Sequence, residues 1–126
     1  MAQLDHMIVP VGDRDRAVAF YTEVLDFAAE GMDGPFAVVR VNAGLTLQFA
    51  GWGTTGGMHL AFAMGKAEFE AVFERVRREG IAYGDAFDAV GNMRGPGEES
   101  GARGMGHAVY LFDPDRHLIE IRHYGD

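Results

Sequence analysis

The chain contains no cysteine. That excludes disulfides, thiolate metal ligands and a cysteine nucleophile together. Positive charge is also scarce. Eleven Lys and Arg stand against 19 Asp and Glu, a formal net charge of −8, and the basic residues are scattered along the chain. A surface that tracks a phosphate backbone needs the opposite sign, so nucleic acid is not expected as a partner. No apolar run is long enough to span a bilayer. Residues 1–12 carry Asp5 and His6 and no basic stretch ahead of an apolar one, so no signal peptide is read. The expectation is a cytoplasmic, soluble protein with no membrane partner. Hydrophobic residues make up 48% of 126, enough for one domain, 1–126, with a core of its own.

The chain repeats itself. Residues 3–9 (QLDHMIV) and 57–62 (GMHLAF) both read as strands, and each carries a His, His6 and His59. Each is followed by a glycine, Gly12 and Gly65, and then by an amphipathic stretch. Ala17, Phe20, Tyr21 and Val24 in the first stretch, and Phe69, Val72, Phe73 and Val76 in the second, follow the i, i+3, i+4, i+7 spacing of one buried helical stripe. Asp13 is placed to cap the first helix and Gly80 to end the second. Three strand candidates follow each helix, near 27–32, 36–42 and 45–50, then near 81–87, 107–112 and 117–123. The turns Asn42-Ala43-Gly44 and Asp113-Pro114-Asp115-Arg116 separate the last pair in each half. The pattern is α+β, two βαβββ modules, the first about 1–50 and the second about 58–126, joined by a linker at about 51–57.

Aligning the last strands, LTLQF (45–49) on HLIEI (117–121), puts Gln48 on Glu120. Strand alternation sets Leu118, Glu120 and Arg122 on one face and Ile119 and Ile121 on the other. The isoleucines suit packing under a helix, so Glu120 is expected to point to the concave side of the sheet, as is Gln48. Two imidazoles, an amide and a carboxylate form a donor set that suits Fe, Zn, Ni, Co or Mn. Any one of these residues alone reads as a surface or satisfied core group. The matched pairs His6/His59 and Gln48/Glu120 turn the reading toward a metal site.

The segments LDHMIVPV, RAVAFYTEVLDF, MHLAFA and VYLFDPDRHLIEIR resemble the vicinal oxygen chelate superfamily of glyoxalases, bleomycin-resistance proteins and extradiol dioxygenases. The resemblance implies a cupped, mostly antiparallel sheet with helices on its convex side. It also implies one divalent metal held by His6, Gln48, His59 and Glu120. Two positions depart from the family pattern: Asp26 and Arg116 stand where glycine is usual. The subfamily stays open. A glyoxalase I often has Glu at the position of Gln48, and an amide cannot act as a base. Methylmalonyl-CoA epimerases share the His, Gln, His, Glu set but want a further Glu base, for which only Glu30 offers itself. Extradiol dioxygenases share Tyr110, Asp113, Pro114 and Glu120 but carry a His where this chain has residues 101–103.

Tyr110 and Glu120 are the expected catalytic residues, with Tyr110 inward if even-numbered residues of the final hairpin face the site. A one-residue slip would send His107 inward instead. The Gly-rich stretch 88–106 reads either as a lid, with Arg94 and Arg103 clamping an anionic group of the substrate, or as a surface loop with solvated arginines. Trp52 reads either as an aromatic wall of the substrate pocket or as a packing residue at the module junction. Two functions compete. The leading one is a metal-dependent isomerase, lyase or ring-cleaving oxygenase acting on a small oxygen-rich substrate. The alternative is a metal-free binding protein that sequesters a drug or metabolite. A symmetric homodimer is expected, with the linker 51–57 either joining the modules within one chain or handing one to a neighbour.

Overall fold

The computed structural model describes residues 1–126, which divide into two compact units, Met1–Gly56 and Gly57–Asp126. The first unit runs β1 (His6–Pro10), α1 (Arg14–Glu23), β2 (Ala28–Asp33), β3 (Phe36–Asn42) and β4 (Leu45–Ala50). Its four strands form a mixed sheet in the order β1-β4-β3-β2, with β1 and β4 parallel. The second unit runs β5 (His59–Ala63), α2 (Lys66–Arg78), β6 (Tyr83–Gly84), β7 (Gly97–Gly101), β8 (Gly104–Phe112) and β9 (Leu118–His123). Its sheet runs β5-β9-β8-β6, with β7 also paired to β8. Here too the first and last strands are parallel neighbours. The fold is α+β and the βαβββ repeat is real.

Each helix forms where the sequence pattern puts it. The Asp13 carboxylate accepts from Arg16 N–H at 3.0 Å, closing the first turn of α1. Tyr21, fully buried, packs its ring 4.9 Å from Phe49. That contact fixes the helix side of the first sheet, with Val9, Leu47 and Phe49 buried on it. Phe20 is only half-buried, because it lies at the edge of the stripe with its ring against Tyr21. In α2, Phe69, Val72, Phe73 and Val76 are all buried, and the facing core is Leu60, Phe62, Val109, Leu111, Ile119 and Ile121.

The left-handed positions fall where the family pattern wants glycine. Asp26 has φ 66° and Arg116 φ 69°. Asp113 makes the second turn: its Oδ1 accepts from Asp115 N–H at 2.8 Å and from His117 N–H at 2.9 Å. Arg116 lays its guanidinium over the Phe112 ring, 4.2 Å from the centroid.

The second unit departs from the expected layout between residues 81 and 106. The strand expected over 81–87 shrinks to Tyr83–Gly84. The chain folds back tightly after Gly84, whose position would put a Cβ into the Ala89 carbonyl. The Tyr83 carbonyl is taken by Gly91 and Met93 N–H groups, both at 2.9 Å, so the ladder cannot continue. The stretch 88–106 is not structureless: β7 pairs antiparallel with the start of β8, from Gly97↔Ala108 to Gly101↔Gly104.

Candidate functional site

In the first unit, His6, Ile8, Thr46 and Gln48 share the face opposite α1, because β1 and β4 pair His6↔Thr46 and Ile8↔Gln48 in parallel register. His6 Nδ1 lies 2.7 Å from Asp5 Oδ2. A carboxylate on one imidazole nitrogen fixes the ring and leaves Nε2 as the nitrogen free to ligate. Arg40, on the same face of β3, pairs with Glu30 at 2.7 Å. Glu30 is therefore engaged as an ion-pair partner.

In the second unit, the face opposite α2 carries His59 on β5, Tyr110 on β8, and Glu120 and Arg122 on β9. The registers Ala61↔Glu120 and Tyr110↔Glu120 centre this face on the carboxylate. Glu120 is 5% exposed. Its Oε1 lies 3.0 Å from His59 Nε2, and its Oε2 accepts from Arg122 Nη1 at 2.6 Å. The Tyr110 hydroxyl, 4% exposed, also hydrogen bonds to Glu120. Burial pushes the phenol up to about 12, with further upward push from the charges of Glu120 and Glu99. Burial alone would lower Arg122, but the hydrogen bond and charge of Glu120 outweigh it and the guanidinium is raised.

By type, the imidazole and the carboxylate are donors that a divalent cation takes. Two donors that sit cis on one ion, each about 2.1 Å from it, are themselves about 3.0 Å apart. His59 Nε2 and Glu120 Oε1, 3.0 Å apart, lie within hydrogen-bonding distance of each other, and no three His, Asp or Glu side chains come together as a metal-holding group. His6 and Gln48 present one imidazole and one amide oxygen on the equivalent face of the first unit.

The remaining expected residues lie as follows. Trp52 is 70% exposed, stands edge-on to Phe36 at 6.0 Å, and lines an open cavity of about 430 Å³ with Arg14 and Pro35. Arg94 is exposed, and its backbone N–H is held by Asn92 Oδ1 at 2.9 Å. Arg103, in the β7–β8 turn, pairs with Asp126 at 3.0 Å and lies over the Tyr124 ring at 4.4 Å. His107 faces the α2 side, where its ring stacks on His123 with centroids 5.0 Å apart.

Two residues of the Glu120 face escaped the sequence reading. Strand alternation alone puts Arg122 on that face but does not signal its hydrogen bond to Glu120. Glu99 was hidden in the stretch read as a loop. Its pairing with Gly106 puts it on the same face as Tyr110.

Fold and site thus define a class: two βαβββ repeats, each with a His on its first strand and a polar partner on its last. The chain belongs to the Glyoxalase/Bleomycin resistance protein/Dioxygenase superfamily, which matches residues 3–121. Among curated proteins, it is 29% identical to virulence protein STM3117 of Salmonella typhimurium, over 97% of this chain and 84% of that one. It is also 29% identical to a probable lactoylglutathione lyase of Vibrio cholerae, over 92% and 86%. Among solved structures, oxidase ChaP-H1 is 32% identical, with a TM-score of 0.80 over 98% of this chain and 96% of that one. No helix is long and apolar enough to cross a membrane.

Proposed function

We propose that the protein is a divalent-metal-dependent enzyme acting on a small oxygen-rich substrate, with His6, Gln48, His59 and Glu120 as ligands. What supports this reading is the 3.0 Å approach of His59 Nε2 to Glu120 Oε1, together with His6 and Gln48 sharing one face of the first sheet. A cation held there acts as a Lewis acid on substrate oxygens or supports oxygen activation. Around it the chain's own groups divide the work. Asp5 orients the His6 ring through Nδ1. Tyr110 keeps its proton at neutral pH and offers it to a substrate oxygen. Glu99 is a second carboxylate on the same face, available to accept a proton. The relatives named as a lyase and an oxidase support isomerase, lyase or oxygenase chemistry as the range. A homodimer is part of the proposal, since closed dimers dominate among oligomers of this size.

One observation favours a second reading, a metal-free binder of a drug or metabolite. Arg122 already neutralises Glu120, at 2.6 Å, without any cation. Elemental analysis of protein purified without chelator separates the two. The enzyme reading expects about one divalent ion per site, lost on substitution of His59 or Glu120. Protein that takes up no ion even when offered Fe, Zn, Ni, Co and Mn supports the binder.

A further inference from the structure

On the α2 side of the second sheet, four rings wall an open cleft of about 580 Å³. Phe69 and Phe73 come from α2, with centroids 6.0 Å apart. His123 comes from β9, edge-on to Phe69 at 4.7 Å. His107 comes from β8 and stacks on His123 at 5.0 Å, with 27° between the planes. Gly95 and Pro96 line the cleft too, and a Cβ at Gly95 would lie 3.2 Å from the Val109 side chain, so only glycine lets the chain in this close. The anomaly in this wall is His123. It is 6% exposed. Its Nδ1 accepts from Gly125 N–H at 3.0 Å, which leaves the proton of the neutral ring on Nε2. That Nε2–H finds no acceptor in the protein, and the ring lines the cleft. A phenylalanine would fill the same space without a donor, and a buried donor left unmade costs free energy. The rim carries no net charge, because Lys66 and Arg77 are balanced by Glu70 and Glu74. Lys66 stands 3.9 Å from Glu70, and Arg77 lays its guanidinium on the Phe73 ring at 4.0 Å.

We propose that this cleft is a second ligand site, which takes a small planar aromatic molecule carrying an uncharged acceptor oxygen, such as an aryl ketone. Each part of the ligand answers one part of the wall. The flat ring lies against the aromatic side chains and displaces water from them. The carbonyl oxygen accepts from His123 Nε2–H and completes the one donor the fold leaves open. The balanced rim gives no net attraction to a charged ligand of either sign. His123 and Glu120 project from opposite faces of β9, so the cleft stands or falls independently of any ion at the carboxylate.

The test is a nitrogen–proton correlation NMR titration of the full chain with acetonaphthone, ethylnaphthalene and naphthoate. The first two share a ring system and differ in the acceptor oxygen, and the third adds a negative charge. Acetonaphthone is expected to shift signals of Phe69, Phe73, His107, His123 and Gly125. It should bind on the order of tenfold more tightly than ethylnaphthalene, the worth of one hydrogen bond to a buried donor. His123→Phe keeps a ring and removes the donor, so it should bind the ketone and the hydrocarbon alike. If that variant does not fold, the difference between the two probes in the parent decides alone. No shift with any probe, equal affinities in the parent, shifts centred instead on Tyr110 and Glu120, or a difference that survives in folded His123→Phe overturns the site. Tighter binding of naphthoate than of the ketone overturns the uncharged ligand class.

Discussion

Tyr110 lies directly across from Glu120 in the β8–β9 hairpin and hydrogen bonds to its carboxylate. The pair is cross-strand and buried, so the phenol cannot reach bulk water to lose its proton cheaply, and it is held up at about 12. With its proton held, Tyr110 is suited to the donor role proposed for it. Tyr110→Phe should leave metal content unchanged and slow turnover on the order of 10²-fold, the usual cost of a lost acid–base group. Metal analysis and steady-state rates on an identified substrate check it. Unchanged kinetics would remove Tyr110 from the mechanism.

Glu120 has three neighbours on its side chain, His59, Arg122 and Tyr110. Glu120→Gln removes the only carboxylate of the proposed ligand set and leaves Arg122 buried beside a neutral amide. Metal binding and turnover should both be lost. The metal-free variant should also be destabilised by about 3 kcal/mol, as when one partner of a buried ion pair is removed. Urea unfolding of metal-free parent and variant measures the second effect independently of the first. Equal midpoints would mean that Arg122 finds another counter-charge.

Much of this face could be read from the sequence because it rests on short-range periodicity. Alternation along β9 separates Glu120 from Ile119 and Ile121, and the helical stripes mark which face of each sheet is covered. Asp13, Gly80 and the Asp113 turn are local signals and appear where expected. The hairpin strand β7 was not legible. Its sequence, Gly-Glu-Glu-Ser-Gly, has no β-branched or aromatic residue and no apolar alternation. It is a strand because β8 offers a free edge and because Arg122 bonds to its carbonyls. Those are tertiary causes. For the same reason Glu99 went unnoticed, and Arg122 was seen on the right face without its grip on Glu120.

Asp26 holds φ 66° at the end of α1, a region that L-residues other than Asn and Asp avoid. Its side chain is exposed. Asp26→Gly should stabilise the protein by roughly 0.5–1 kcal/mol, because relief of backbone strain exceeds the added chain entropy. Arg116→Gly at φ 69° should gain less, since it also loses the contact with the Phe112 ring. Thermal melts of the two single variants give the ranking. A larger gain at Arg116 would mean that the ring contact contributes little.

Association is checked by light scattering at working concentration. The proposed homodimer gives twice the mass of the 13.7 kDa chain. A single monomer peak across a tenfold dilution series, about the range over which a weak dimer would still show itself, would remove the dimer from the proposal.

On the α2 side of the second sheet, His123 stacks on His107 and packs edge-on to Phe69 at 4.7 Å. Its Nδ1 accepts from Gly125 N–H at 3.0 Å, so the neutral ring carries its proton on Nε2. Burial lowers its pKa below 6.5, and His107 and Lys66 push the same way. Glu70 and Asp126 oppose them without reversing the sign. The folded state therefore binds fewer protons than the unfolded chain once pH drops past the unfolded value. Stability should be full above about pH 6.5 and fall as pH descends toward the lowered folded pKa. Melting temperatures recorded from about pH 7.5 down to about pH 5.5 should decline in the parent. They should decline less steeply in His123→Gln, which keeps a polar group near Gly125 but cannot take a proton in this range. The slopes, not the absolute melting temperatures, carry the result, because any substitution of a buried ring shifts the baseline. Parallel slopes would place the pH sensitivity elsewhere in the chain.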